Sequence, residues 1–580
     1  MKSTQPNVII VMTDDQGYAD LGCTGNPWIQ TPNIDRFFEE SVRMTDFHVQ
    51  PLCTPTRGAL MSGHRPIRNG AWATNWGRSI LRESETTMAD VFKSGGYRTG
   101  MFGKWHLGDC HPYRPFERGF DHTVAHKGGG VGQTSDFWGN NYFDDTYFAN
   151  GQARGYEGYC TDVWFEQAKD WIESEDERPF FAYIATNAPH CPYLVDDRYA
   201  EQYRANPKIA EPEFYGMITN IDENFGDLMS FLEKKGMAEN TILVFMTDNG
   251  SSGGAKVDDE GYLEKGYNAG MRGLKGSYYD GGHRVPFMIR WPKGRLGGGR
   301  DVGDMALDVD VLPTMIDLCG LPDPKIDFDG VSFVPTFGGE KLPERTHFIQ
   351  IKQRTEAPDQ WRCCVMTSRW RLIGYDELYD IKSDPEQREN VIEDYPDVAN
   401  QLRQQNEDWW VEARNYFEDL CPIYLGAKEE NPVTMSSMDL NGDNIPIVWT
   451  QTMVVFGREA PGTWHVKVTR AGRYRIDLRR WPSELPIPIE GTVSRECSDG
   501  LIYARKDNKD HVIVEPDKAK VKIFDQTYST DVLPGHEAAH FEVEIDEGLT
   551  ELEASFWKDD ARLAHVYFVE VEFLGSATPA

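Results

Sequence analysis

Four apolar runs, residues 8–12, 180–185, 242–246 and 286–289, contain no polar residue at alternate positions. A strand with one wet face alternates apolar and polar side chains, so runs of this kind require cover on both faces of their sheet. Between them, residues 161–174 and 213–234 carry apolar side chains at helical spacing. Met217, Ile221, Phe225, Leu228 and Leu232 form one stripe, and Gly236 follows as a stop. This alternation predicts an α/β domain over residues 1–339, its sheet flanked by crossover helices.

The 580 residues leave room for more than one further unit. Residues 340–421 read as a small α+β subdomain, with strands near 348–351, 363–367 and 370–375 and a helix over 396–416. Residues 422–447, rich in Pro, Asn, Gly and Asp without periodicity, read as a linker. From 448 to 580, segments such as 465–469, 474–478 and 541–545 alternate at period two, which predicts a C-terminal β-sandwich. The formal net charge of −33 opposes nucleic acid and anionic membranes as partners, so any anionic substrate must meet a local basic pocket. No run reaches the length of a membrane span. The ten cysteines show no C-x-x-C pair. The start of the chain lacks the apolar stretch of a signal peptide, so the expected location is cytoplasmic, or periplasmic or secreted if a leader has been removed. Oligomeric state is not legible.

Two of the apolar runs end alike, in Met12-Thr13-Asp14-Asp15 and Met246-Thr247-Asp248-Asn249. Ligand sites in open α/β sheets lie at the carboxyl ends of strands, so these oxygen-bearing side chains converge if the two strands are neighbours. Clustered carboxylates need a cation, and hard oxygens without a Cys or His set favour Ca²⁺ or Mg²⁺ over Zn²⁺. Singly, each Asp is more readily a helix cap or turn former; the duplication reverses that preference and argues for a site. Cys53-Thr54-Pro55-Thr56-Arg57 reads as a helix start with Pro55 in the first turn. Cys53 then sits at the positive helix end and Arg57 lies one turn on, where both address one anion. On these grounds Cys53 is a low-pKa nucleophile, a metal ligand or a buried structural thiol.

The same five residues are similar to the C-x-P-x-R core of the type I sulfatases, whose cysteine is converted to formylglycine. Residues 96–106, Gly-Tyr-Arg-Thr-Gly-Met-Phe-Gly-Lys-Trp-His, resemble that family's second signature. Asp14-Asp15 and Asp248-Asn249 match its metal ligands, and Leu378-Tyr379-Asp380 with Asp384-Pro385-Glu386 resembles the stretch near the end of its catalytic region. The resemblance covers about residues 7–415. It implies an alkaline phosphatase-like mixed sheet sandwiched by helices, and hydrolysis of sulfate monoesters of carbohydrates or aryl alcohols. It also implies Ca²⁺, or alternatively Mg²⁺, held by Asp14, Asp15, Asp248, Asn249 and the residue at Cys53. Hydrated formylglycine offers one oxygen to attack sulfur and a second hydroxyl whose deprotonation expels sulfate. Arg57 then polarises the nucleophile, Lys104 and Lys275 hold sulfate oxygens, His106 is the base for sulfate release, and His190 is the leaving-group acid. The partners implied are a sulfated small molecule or saccharide and a maturation enzyme that generates formylglycine. Phosphonate monoester and phosphodiester hydrolases of the same superfamily are the alternative.

Read by themselves, several of these residues have plainer roles. Lys104 and His106 stand two apart, which brings both to one side if the segment stays extended; without the motif they are a surface lysine and a capping histidine. His190 follows the run ending at Ala185, and Lys275 lies between Gly273 and Gly276, which permit close approach of an anion. Asp280 stands where the family commonly has a glutamate in E-G-G-x-R-V-P. Trp72, Trp76, Trp105, Trp138 and Trp164 suit sugar stacking or the core, with the core favoured, and the C-terminal Trp449, Trp464, Trp481 and Trp557 leave the same choice open.

Overall fold

The computed structural model describes residues 5–174, 176–494, 501 and 511–576. Ten strands form one mixed sheet: β1 (Asn7–Thr13), β2 (Val42–Met44), β3 (Arg98–Lys104), β4 (His122–His126), β5 (Thr146–Ala149), β6 (Gln152–Gly155), β7 (Phe180–Ala185), β8 (Thr241–Thr247), β9 (Phe287–Arg290) and β10 (Arg300–Val302). Their order across the sheet is β10-β2-β9-β8-β1-β7-β3-β4-β5-β6. The central strand β1 runs parallel to β7 and β8, while β9 is antiparallel to β8 and β2 and makes the sheet mixed.

The helices that matter for the site are α1 (Cys53–Ser62), α2 (Cys160–Ile172), α3 (Pro212–Lys234), α4 (Asp280–His283) and α5 (Val311–Cys319). Alternate residues of β1 enter opposite cores. Val8, Ile10 and Met12 pack with Leu60 and Met61 of α1 and with Val311, Leu312 and Met315 of α5. Ile9 and Val11 pack with Val163, Trp164 and Phe165 of α2 and with Met217, Ile221 and Phe225 of α3. Two-sided cover is why β1 shows no polar alternation, and each such side chain contributes about 1.5–3 kcal/mol by leaving water. All ten residues of α1 are buried. Its hydroxyls are spent internally: Thr56 Oγ1 donates to Gln50 O at 3.0 Å and Ser62 Oγ to Gly58 O at 2.7 Å.

A second sheet follows, with antiparallel β11 (His347–Gln350), β12 (Cys363–Met366), β13 (Trp370–Ile373) and β14 (Glu377–Asp380) in sequential order. One face packs on Ala399 and Leu402 of α6 (Pro396–Ala413). The other face, through Ile349, Cys364, Met366 and Tyr379, packs on Ala59, Leu307 and Val309 of the large domain. The C-terminal residues form two sheets around a single core that includes Trp464, Trp481, Val466, Ile476, Phe556 and Val571. The α/β class, the small α+β unit and the C-terminal β region are those read from the sequence.

The stretch 422–447 differs from its reading as a linker. It contributes β15 (Ile423–Leu425), paired parallel to Trp464–Val468, and β16 (Val433–Ser436), paired antiparallel to Phe568–Gly575. Strands of three or four residues are too short to display a period of two, and the Pro, Asn and Gly around them are turn residues. The nine described cysteines are free thiols, and no described helix is long and apolar enough to cross a membrane.

Candidate active site

Strand register assembles the acidic cluster. Because Thr13 pairs with Thr247 across β1 and β8, Asp14 and Asp248 leave the sheet side by side. Oxygens of Asp14, Asp15 and Asp248 come within 4.8 Å of one another, all in buried side chains. Asp15 N donates to Asp248 Oδ1 at 3.0 Å, and Asn249 Nδ2 donates to Asp15 Oδ1 at 3.1 Å. Burial pushes the Asp14 carboxyl well above its usual range, with Asp248 and Asp15 adding to the rise and Lys104 opposing it. Burial also raises Asp15, but Lys275 and His190 outweigh it and leave that carboxyl low.

The donor set fits a hard divalent cation. Asp14 Oδ1 and Asn249 Oδ1 are buried without any hydrogen-bond partner, a costly state that an oxygen-seeking ion relieves. Cys53, expected as a further ligand, is outside the group of three carboxylates; a thiol is a poor match for such an ion, and its sulfur is directed at His106 instead.

Cys53 opens α1, with Leu52 as an extended N-cap and Gly63 closing the helix at φ 69°. Its Sγ lies 3.4 Å from His106 Nδ1. Burial raises the thiol pKa despite Lys104 and Lys275, so the low-pKa thiolate left open by the sequence is not what this environment favours. Arg57 sits one turn on and is equally buried. Its Nε and Nη2 both donate to Asp248 Oδ2, at 3.1 and 2.8 Å, and Nη1 donates to Lys104 O at 3.0 Å. Tyr183, which no sequence signal marked, stands 3.5 Å from the same guanidinium through its hydroxyl.

His106 is held at both ring nitrogens. Nε2 lies 2.9 Å from Thr74 O, and a carbonyl can only accept, so Nε2 carries the proton and Nδ1 faces residue 53 with its lone pair. Burial and the nearby Lys104 charge hold the ring pKa well below its usual value, which keeps it neutral. The backbone of His106 is left-handed at φ 57°, so the segment after Lys104 turns rather than staying extended as the two-residue spacing suggested. Lys104 ends β3 and donates to Asp14 Oδ2 at 2.6 Å, and Lys275 donates to Asp15 Oδ1. His190 places Nε2 3.7 Å from Asp15 Oδ2, its Nδ1 being engaged by Cys191 O at 2.6 Å. The sequence-predicted residues Asp14, Asp15, Cys53, Arg57, Lys104, His106, His190, Asp248, Asn249 and Lys275 thus gather at one end of the sheet.

A second buried cluster gathers His48, Asp280 and His283. His48 Nδ1 and His283 Nδ1 are 3.0 Å apart, His48 Nε2 is 3.0 Å from Asp46 Oδ1, and His283 Nε2 reaches Tyr278 O at 3.2 Å. Asp280 accepts from Nε of Arg371 at 2.8 Å, which ties α4 to β13 of the small unit. Ring nitrogens already engaged and a resident guanidinium make this a structural network. They also give the shorter acid at position 280 its use.

A family model described as Sulfatase matches residues 6–321, and one described as N-sulphoglucosamine sulphohydrolase, C-terminal, matches residues 274–411. The chain belongs to the sulfatase family. Arylsulfatase A of Homo sapiens is 31% identical to this sulfatase over 376 residues, 59% of this chain and 70% of that one. N-acetylgalactosamine-6-sulfatase of Canis lupus familiaris is 30% identical over 372 residues, 59% and 68% of the two chains. Among solved structures, Ps i-CgsB in complex with k-i-k-neocarrahexaose is similar with a TM-score of 0.62 at 25% identity, over 70% of this chain and 93% of that one. The sulfatase hydrolyses sulfate esters, and its family implies formylglycine and a divalent metal. Both matched spans end by residue 411, before the C-terminal sheets begin.

Proposed function

We propose that this sulfatase cleaves sulfate monoesters on carbohydrates, with Cys53 matured to formylglycine and Ca²⁺ as its metal. The observation that carries the reading is the buried meeting of residue 53 and Arg57 with Asp14, Asp15, Asp248 and Asn249, two of whose oxygens lack any partner. Solved neighbours with bound sugars support the substrate class: one was solved with its substrate D-glucosamine-2-N,6-O-disulfate, and another with k-i-k-neocarrahexaose.

A divalent cation bound by Asp14, Asp15, Asp248 and Asn249 would supply Lewis-acid charge beside the nucleophile and the sulfate. Formylglycine would supply a hydrated aldehyde as the nucleophile. The remaining roles belong to side chains of this chain. Arg57, buried and fixed by Asp248, orients that carboxylate and brings positive charge to residue 53. His106, neutral with a free lone pair on Nδ1, takes a proton from the side chain at 53. Lys104 and Lys275 carry the positive charge that meets sulfate oxygens; with Nδ1 donating to Cys191 O, it is the doubly protonated ring of His190 whose Nε2 delivers a proton to the departing alkoxide. A maturation enzyme that reads Cys53, Pro55 and Arg57 completes the proposal.

Mass spectrometry of the peptide spanning residues 43–65, paired with turnover of 4-nitrophenyl sulfate, tests it. Formylglycine at 53, a bound Ca²⁺ in elemental analysis and complete loss of turnover in Cys53→Ala are expected. Active enzyme with an intact thiol at 53 overturns the nucleophile. Matched phosphate monoesters and diesters are expected to react more slowly, and preference for a phosphorus ester would return the alternative.

A further inference from the structure

Beside His106, loops from three parts of the chain meet in a way the reaction itself does not require. Gln353 clasps Thr74, whose carbonyl holds His106: Thr74 N donates to Gln353 Oε1 at 2.9 Å and Gln353 Nε2 donates to Thr74 Oγ1 at 2.8 Å. Two residues on, Trp76 adopts φ 62°, a strained conformation for a bulky side chain. Every polar atom of Trp76 is held. Its N donates to Met438 O at 3.2 Å and its Nε1 to Ile445 O at 3.1 Å, while its carbonyl accepts from Thr355 Oγ1 at 3.3 Å. Such over-determination of one strained indole makes a rigid platform.

On that platform sits Arg354, its guanidinium carbon 5.3 Å from the ring centroid. Nη1 donates to Gln353 O at 2.7 Å, and among the described residues Arg354 has no carboxylate partner. Its remaining N–H groups are not among the buried unsatisfied atoms, so they face solvent. Asn75, the residue before Trp76, is nine-tenths buried and leaves Oδ1 without a partner, an acceptor open to a saccharide hydroxyl rather than to an anion.

We propose that Arg354, pre-positioned on Trp76, is a second anion-recognition position that takes another sulfate or carboxylate of the saccharide whose ester is cleaved. It rests on the sulfatase reading of the same site. A guanidinium held by cation–π contact keeps its donor fork while losing little rotamer freedom on binding, which suits planar recognition of an oxyanion. The C-terminal unit takes part indirectly, because Met438 and Ile445 hold the indole.

The test compares wild type, Arg354→Ala and Arg354→Lys. Turnover of 4-nitrophenyl sulfate, which carries no second anion, is measured with competing inorganic sulfate, sulfated galactan and glycosaminoglycan oligosaccharides, their partially desulfated forms, and uronate oligosaccharides. Calorimetric binding of the same panel reads the position independently of turnover. Arg354→Ala should leave aryl sulfate kcat/KM and the inorganic sulfate inhibition constant within about twofold, and weaken the best polyanionic competitor about tenfold or more, since a charge-assisted hydrogen bond is lost. Arg354→Lys should recover part of that loss. The sulfated and uronate arms identify which oxyanion is read. Equal binding of the panel by wild type and Arg354→Ala, or no preference of wild type for a second anion, overturns the proposal. Absence of aryl sulfate turnover in wild type with matured residue 53 would instead strike the parent reading, and the calorimetric arm would still decide this one.

Discussion

Gly129 presses on the ring of His106, and replacing it with alanine is a sharp test of the geometry around residue 53. A Cβ at 129 would lie 2.4 Å from His106 Cε1 and 2.6 Å from Nε2. Ordinary contact begins at 3.4 Å, so the ring must retreat by about 1 Å (3.4 − 2.4), unless the backbone yields. The ring has no slack: Thr74 O holds it at 2.9 Å on one side and Cys53 Sγ lies 3.4 Å away on the other. Misplacement of a catalytic group by about 1 Å costs on the order of 100-fold in rate, about 2.7 kcal/mol of barrier. Gly129→Ala is therefore expected to lower kcat for 4-nitrophenyl sulfate about 100-fold with formylglycine content unchanged by peptide mass spectrometry. Gly155→Ala, where a Cβ meets nothing within 4 Å, is the control. If Gly129→Ala turns over within twofold of wild type, the ring is not held as argued.

Three further outcomes follow from buried groups. Arg371→Met should destabilise the protein by about 3–5 kcal/mol in denaturant titration, because Asp280 is left buried and unpaired; Arg371→Met with Asp280→Leu should regain part of it, and an unchanged midpoint in the single variant refutes the pairing. Burial holds His126 and His283 down to about 3, below the unfolded value near 6.5, so the folded protein keeps them neutral while the unfolded chain takes up protons. Their contribution is present above pH 6.5 and is lost as pH falls toward 3; thermal midpoints should decline across that window, less steeply in His126→Gln, and a profile unaltered by that substitution counts against the assignment. Gln451, whose Nε2 donates to Gln133 O at 3.2 Å and Phe137 O at 3.2 Å, ties the C-terminal unit to the loop after Gly129. Gln451→Ala should lower kcat several-fold with the protein still folded by circular dichroism, and full activity would show that the loop stands without it.

The sequence made the paired strand ends legible because Asp14-Asp15 and Asp248-Asn249 repeat one pattern after two apolar runs, and parallel neighbours in register bring such ends together. It made α1 legible through Pro55 and the spacing of Cys53 and Arg57. It was silent on Thr74 and Gly129, which act on His106 through a carbonyl and through a missing Cβ; neither leaves a trace in residue type. Tyr183 lay hidden inside an apolar strand, where a tyrosine reads as core. Asp280 was noticed only as a departure, since its partner Arg371 is 91 residues away and on another sheet. The 422–447 stretch was misread because β15 and β16 are short and borrow their order from strands that come later in the chain.

The burial of α1 fixes a point in time as well as a place. Every residue of that helix is enclosed, and Cys53 is 2% exposed. No external catalyst can grip such a segment once it has packed, so the proposed conversion of Cys53 would compete with folding for one brief interval after synthesis. On that proposal, a molecule that folds first would be stranded as an intact but idle copy. Specific activity of a preparation would then record the history of its production rather than the quality of its structure, and slower synthesis should raise it without altering a single contact.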